Sequence, residues 1–75
     1  MKINKNQIRE MIENKKPYIY NSSVAVIYED KYLIYSYTTL ICVYSLSDNE
    51  VKYFDNKYYS KTTSFLQNII KYELF

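Results

Sequence analysis

The sequence predicts an α+β fold: an N-terminal helix, a four-stranded antiparallel meander and a C-terminal helix packed on one sheet face. Apolar residues recur at helical spacing near both ends of the chain, and β-branched and aromatic runs alternate with turn residues between them. With 75 residues, the chain is long enough for one domain, residues 1–75, and too short for two separate cores.

The first helix is expected over residues 3–16. Asn4 and Gln7 have the spacing of a capping box, and an apolar stripe begins at Ile8. Pro17 ends the element, because the residue before a proline avoids the helical conformation. The sequence therefore predicts a short amphipathic helix with one face to bury.

Four strands are expected in the middle of the chain, with turn residues between them: 23–28, 32–37, 39–44 and 51–54. Residues 18–20 can add a short edge strand. Alternation along the strands places Tyr35, Tyr37 and Tyr44 on one face, provided that the hairpins pair without interruption. Both faces are then apolar or aromatic, so the face that the helices leave uncovered is expected to need a partner or a second copy.

The pattern Ser-x-Thr-Thr occurs twice, at residues 36–39 and 60–63. After the second copy, apolar residues recur at the spacing of a buried helical face, so the hydroxyl cluster Thr62, Thr63 and Ser64 is expected to mark a helix start. Ser64 and Gln67 have capping-box spacing. Caps and strand threonines explain both copies better than an active site does.

Composition argues against most enzyme classes. The chain has no His and no Gly, which removes the usual proton shuttle at neutral pH and the loops that cradle phosphates. Its single cysteine, Cys42, cannot form an internal disulfide, and the further Cys or His ligands that a metal site needs are missing from the sequence. We therefore expect no catalytic residues, no metal and no cofactor. Without a signal-like or membrane-spanning run, we expect a cytoplasmic protein with no membrane partner.

The stretches SYTTLICVY (36–44) and VKYFDNKYYSKTTSFLQNI (51–69) resemble a family of small proteins of unknown function encoded in bacteriophages and prophages of Firmicutes. Four residues match its strand motif: Tyr37, Thr39, Leu40 and Ile41. Five residues match its closing Tyr-Ser-x-Thr-Thr-Ser motif: Tyr59, Ser60, Thr62, Thr63 and Ser64. Thr38 and Phe65 depart from the family pattern. The resemblance implies a phage accessory factor, such as an anti-CRISPR inhibitor of host defence.

The main functional hypothesis is a non-catalytic inhibitor that binds a host protein or protein–nucleic-acid effector complex in the host cytoplasm. The chain has 11 tyrosines, and tyrosine offers a large rigid contact area with a hydroxyl group, which suits interfaces. The expected contact residues combine tyrosines with two lysines: Tyr35, Tyr37, Tyr44, Tyr53, Tyr58, Tyr59, Lys57 and Lys61. A homodimer is expected as well, because so small a core is thin.

Two other classes of function are compatible with parts of the sequence. Single-stranded nucleic acid is the alternative partner, because VKYFDNKYYSK (51–61) interleaves lysines with aromatic residues, although a net charge of +2 is small for such a binder. An enzyme would have to use Cys42 or a hydroxyl as nucleophile. A thiol inside an apolar strand is better explained as a small buried hydrophobe.

Overall fold

A computed structural model describes residues 3–75 of the protein. A 3-10 turn, Lys5–Gln7, leads into helix α1, Ile8–Glu13. Five strands follow: β1 Tyr18–Tyr20, β2 Ser23–Tyr28, β3 Lys31–Ser36, β4 Thr39–Ser45 and β5 Glu50–Phe54. Helix α2, Lys61–Leu74, closes the order. The strands form one antiparallel sheet in the order β1-β2-β3-β4-β5. The α+β architecture is confirmed, but the predicted count of four strands is wrong.

The additional strand is the short edge strand β1, which pairs with β2 from Tyr18↔Ala25 to Tyr20↔Ser23. The hydroxyl groups of Tyr18 and Ser23 lie 2.7 Å apart in a hydrogen bond, and Tyr18 is buried. On its outer edge, β1 receives a hydrogen bond of 3.0 Å from the Ile3 amide to the Ile19 carbonyl. Three residues therefore suffice for a strand, because a buried side chain and contacts on both edges hold them.

The turns are built without glycine. Each of the three two-residue connections begins with a residue of positive φ: Asn21 at 44°, Glu29 at 57° and Tyr37 at 58°. Asn49, in the turn between β4 and β5, has φ of 54°. This left-handed conformation costs a residue with a Cβ atom about 1–2 kcal/mol. The sheet connections therefore carry local strain that other contacts must offset.

A bulge in β4 changes which side chains share a face. Ile34 pairs with Cys42 whereas Tyr35 pairs with Leu40, so Ile41 has no partner of its own. Ile41 and Cys42 are consecutive residues that are both completely buried. The bulge lets β4 contribute one residue more to the core than strict alternation would allow.

The predicted common face for three tyrosines is wrong for the same reason. Tyr44 pairs with Tyr32 and is buried, whereas Tyr35 points to the opposite face. Tyr37 lies outside the strands, in the turn between β3 and β4. A one-residue shift moves every later side chain to the other face, and the bulge makes such a shift between Leu40 and Cys42.

The core lies between one sheet face and the two helices. Helix α1 buries Ile8, Met11 and Ile12. Helix α2 leaves Phe65 exposed and buries its aliphatic side chains, Leu66, Ile69, Ile70 and Leu74. The Tyr32 hydroxyl donates a hydrogen bond of 2.7 Å to the Lys16 carbonyl, in the segment between α1 and β1. Among residues 3–75, no helix is long and apolar enough to cross a membrane.

The second hydroxyl motif does begin α2, but not where the spacing predicted. Ser60 is the N-cap, and its hydroxyl accepts a hydrogen bond of 3.2 Å from the Thr63 amide. The predicted capping box of Ser64 with Gln67 is wrong, because the helix already begins at Lys61. The two motif copies meet in the core, where the hydroxyls of Ser36 and Thr63 are 2.8 Å apart. This contact docks the start of α2 on the sheet.

Replacement of Ser60 by alanine is expected to lower the free energy of unfolding by about 0.5–2 kcal/mol, because the capping hydrogen bond is lost. Ser64→Ala is the matched control, since this serine lies inside the helix, where alanine is the better helix former. Thermal or urea unfolding of both variants checks this. A larger loss for Ser64→Ala than for Ser60→Ala would contradict the assignment of the cap.

Candidate functional site

The sheet face that points away from the helices, here called the open face, is covered by no element of the described chain. Strand pairing arranges its side chains in two rows across the sheet. One row is Ile19, Val24, Tyr35 and Leu40, and the other is Val26, Leu33, Val43 and Tyr53. Ile19, Val26 and Tyr53 are 48%, 38% and 47% exposed. The open face is thus a contiguous patch without a charged side chain in either row.

A polar rim borders this patch at one end. The next row across the sheet contains Tyr28, Lys31, Ser45 and Glu50. Lys31 forms an ion pair of 2.8 Å with Asp30, and its ammonium together with the Ser47 hydroxyl lowers the pKa of the Asp30 carboxyl. An apolar centre with a polar, hydrogen-bonded rim is the usual anatomy of a protein interface.

The second surface feature, here called the end cleft, has a volume of about 430 Å³. It lies where the β1–β2 and β3–β4 turns meet the 3-10 turn and the start of α2. Two lysines and three aromatic residues line it together with Thr62: Lys5, Lys61, Tyr20, Tyr37 and Phe65.

The eight contact residues predicted from the sequence are distributed over four places. Tyr35 and Tyr53 lie on the open face, and Tyr37 and Lys61 line the end cleft. Tyr44 belongs to the core, where 5% of it is exposed, so it offers a partner little surface. The remaining three residues, Lys57, Tyr58 and Tyr59, lie in the connection between β5 and α2.

That connection is fastened to the rest of the domain. The Tyr59 hydroxyl and the Lys57 amide both donate to the Asp55 carboxylate. The hydrogen bond from Tyr59 lowers the pKa of Asp55, and the same bond raises the pKa of Tyr59. The Gln67 carboxamide donates to the carbonyls of Asp55 and Lys57, at 2.7 and 2.9 Å. Tyr59 is therefore engaged within the chain, whereas Tyr58 is exposed.

The basic and aromatic stretch 51–61 does not form one continuous basic surface. Lys52 forms ion pairs with Glu50 and with Asp48, the latter at 3.0 Å, and these hydrogen bonds raise the pKa of its ammonium group. Its charge is largely balanced by these neighbours. Lys61, at the end of the stretch, lines the end cleft, whereas Lys52 and Lys57 do not.

Cys42 is completely buried under the helices, and desolvation raises the pKa of its thiol to about 12. Since the thiolate is the nucleophilic form, this cysteine is unreactive at neutral pH. In the part of the chain that the structure describes, no group of His, Cys, Asp and Glu side chains is placed to hold a metal ion.

The aliphatic residues of the open face are the functional candidates that sequence reasoning missed. The sequence signal for them is the apolar character of both strand faces. Val24, Val26 and Leu33 stand in the same two rows as Tyr35 and Tyr53. In the end cleft, the missed residues are Lys5, Tyr20 and Phe65, which lie far apart in the sequence.

The buried tyrosines and Cys42 predict a loss of stability at alkaline pH. Burial raises the pKa of Tyr18 to about 12 from its ordinary value of 10.0, raises that of Tyr32 further, and raises that of Cys42 from 9.0. The unfolded chain therefore loses these protons first. Stability is fully present below the unfolded pKa values and falls as the pH rises toward the folded ones.

Thermal melts between about pH 8 and pH 12, with tyrosinate absorbance followed in parallel, measure this loss. In Cys42→Val the decline should be shallower, because one of the three titrating groups is absent. Ionisation of all 11 tyrosines before any loss of fold would contradict the burial of Tyr18 and Tyr32.

Comparison with known proteins shows the family but no activity. No curated protein and no solved structure matches the chain. Residues 6–71 match the family model described as a family of unknown function, DUF8033. This range includes α1, all five strands and most of α2, and therefore both the open face and most of the end cleft. The chain belongs to the DUF8033 family of unknown function.

Proposed function

We propose that this protein is a non-catalytic binding protein that contacts a protein partner through its open face. The observation that carries the proposal is the pair of apolar rows across five strands, with no helix or loop of the described chain over them. Strands spaced about 4.8 Å apart make this face roughly 19 Å wide. Exposed apolar patches of a few hundred Å² on small proteins often mark contact sites.

The composition of the open face favours a protein over a nucleic acid. A strand of nucleic acid needs cations for its phosphates, and the two rows contain none. Tyr35 and Tyr53 provide the aromatic anchors that dominate many protein interfaces. The aliphatic residues around them supply an area that is dry once it is covered.

The resemblance to small phage-encoded proteins supports a specific version of this proposal. In that version, the partner is a host factor in the cytoplasm, a defence complex such as a CRISPR–Cas effector, and binding inhibits it. A second copy of the chain is the competing occupant of the open face, because a homodimer would bury the same residues.

Two variants test the open face: Val26→Lys places a charge in it, and Tyr53→Ala removes an anchor. Each is expected to weaken binding to a purified CRISPR–Cas effector complex and its inhibition by tenfold or more, since a hot-spot residue contributes about 2 kcal/mol. Tyr72→Ala is the matched control, because Tyr72 is 77% exposed on α2, away from this face. Thermal melts of all variants establish that they are folded.

Full inhibition by folded Val26→Lys and Tyr53→Ala proteins would overturn the open face as the contact site. Light scattering of the wild-type protein shows whether a second copy of the chain covers the open face. A stable dimer that Val26→Lys converts to a monomer would show that a second copy covers the face, and the proposed partner contact would then be wrong.

A further inference from the structure

We propose that the end cleft is a nucleotide-binding site, for a planar base that carries a phosphate group. The ligand is either a free nucleotide or a nucleotide of a single strand, since both present the same chemistry. The site uses no side chain from the two rows of the open face, so the proposal is independent of the protein-binding function proposed above.

The walls of the end cleft are held together by contacts that the fold already makes. The Tyr37 amide donates a hydrogen bond of 2.6 Å to the Ser22 carbonyl, which joins the β3–β4 turn to the β1–β2 turn. The hydroxyl pair of Ser36 and Thr63, at 2.8 Å, fixes the start of α2 beside these turns. The cleft is therefore formed before any ligand binds, which lowers the entropic cost of binding.

The charge of the end cleft suits an anion. Lys5 and Lys61 both line it, and no Asp or Glu is among the lining residues. The ion pairs found within residues 3–75 involve Arg9, Lys31 and Lys52, so neither cleft lysine is neutralised by a carboxylate there. Two such ammonium groups at one concave surface attract a phosphate, which can accept hydrogen bonds from both.

The aromatic lining suits a planar base. Tyr37 and Phe65 are both exposed, and Tyr20 lies with them in the wall of the cleft. The Lys5 ammonium lies over one face of the Phe65 ring, 4.9 Å from its centre, so Lys5 brings a positive charge into the aromatic wall of the cleft. Bases stack on such side chains with little dependence on sequence. Ser22 and Thr62 add hydroxyl groups that can bond the sugar or the base edge.

The size of the end cleft agrees with this ligand. A volume of about 430 Å³ falls within the range of roughly 300–1,000 Å³ for small-molecule sites. Inorganic phosphate would leave the aromatic wall unused, and an uncharged ring would leave the lysines without a partner. A nucleotide engages both, so its affinity should exceed that of either part alone.

The proposal is tested by titrating the full chain with AMP, adenosine and inorganic phosphate, and following amide shifts by NMR. AMP is expected to bind at least tenfold more tightly than adenosine or phosphate, with shifts centred on residues 20–22, 37 and 61–65. Lys5→Gln and Lys61→Gln should each weaken AMP binding by fivefold or more. Lys71→Gln, the matched control on the exposed side of α2, should leave it unchanged.

Tyr37→Gly separates the role of the ring from that of the fold. Tyr37 has φ of 58°, a conformation that glycine adopts without cost, so this variant should remain folded while it lacks the ring. AMP affinity should then drop by fivefold or more, because one of the three aromatic side chains of the cleft is absent. Unchanged AMP affinity in this variant, or an equal loss in Lys71→Gln, would overturn the proposed site.

An oligothymidylate arm distinguishes the two sources of the ligand. If the oligothymidylate binds more tightly than TMP and shifts the same residues, the natural source of the ligand is a single strand. Equal affinity of the two identifies a free nucleotide. Shifts confined to other surfaces for both ligands would show that the end cleft does not bind nucleotides.

Discussion

The helices of this chain can cover one face of the five-stranded sheet and not both, and the rest of the structure depends on that constraint. Helix α1 has 6 residues and α2 has 14, and both pack against the same sheet face. The polar groups of that core are paired, as the Tyr18–Ser23 and Ser36–Thr63 hydroxyl contacts illustrate. The open face is the sheet face that the helices leave uncovered. Its side chains are apolar although no part of the described chain packs on them.

Much of the architecture could be predicted from the sequence because its signals are local. Pro17, the helical stripes and the turn residues each affect only the few residues around them. These local signals predict both helices and four strands in the correct order. The edge strand at residues 18–20 was expected only as an option, because three residues are too few to show a period, and the structure has it as β1. The bulge at Ile41 escaped prediction, because it is a property of the pairing between β3 and β4 and has no local sequence pattern.

The candidate sites were less predictable than the fold. Tyrosine is common in this chain, but composition does not separate Tyr18, Tyr32 and Tyr44, which are buried, from Tyr35 and Tyr53, which face outward. That distinction depends on strand register, and the bulge reverses it for Tyr44. The end cleft could not be found at all from sequence patterns, because turns and helix starts distant in the chain meet only after the sheet has formed.

The order of the elements also bears on how the protein folds. Every strand pairs with its neighbour in sequence, so the meander closes short loops and can form early. Helix α2 comes last in the chain, and its docking contact from Thr63 to Ser36 spans 27 residues. During synthesis, residues 18–54 can therefore pair before α2 is available to cover its part of the sheet. Until α2 arrives, the nascent meander presents the open face and also the part of the core face that α2 covers later, and this is the stage at which the chain is most exposed to aggregation.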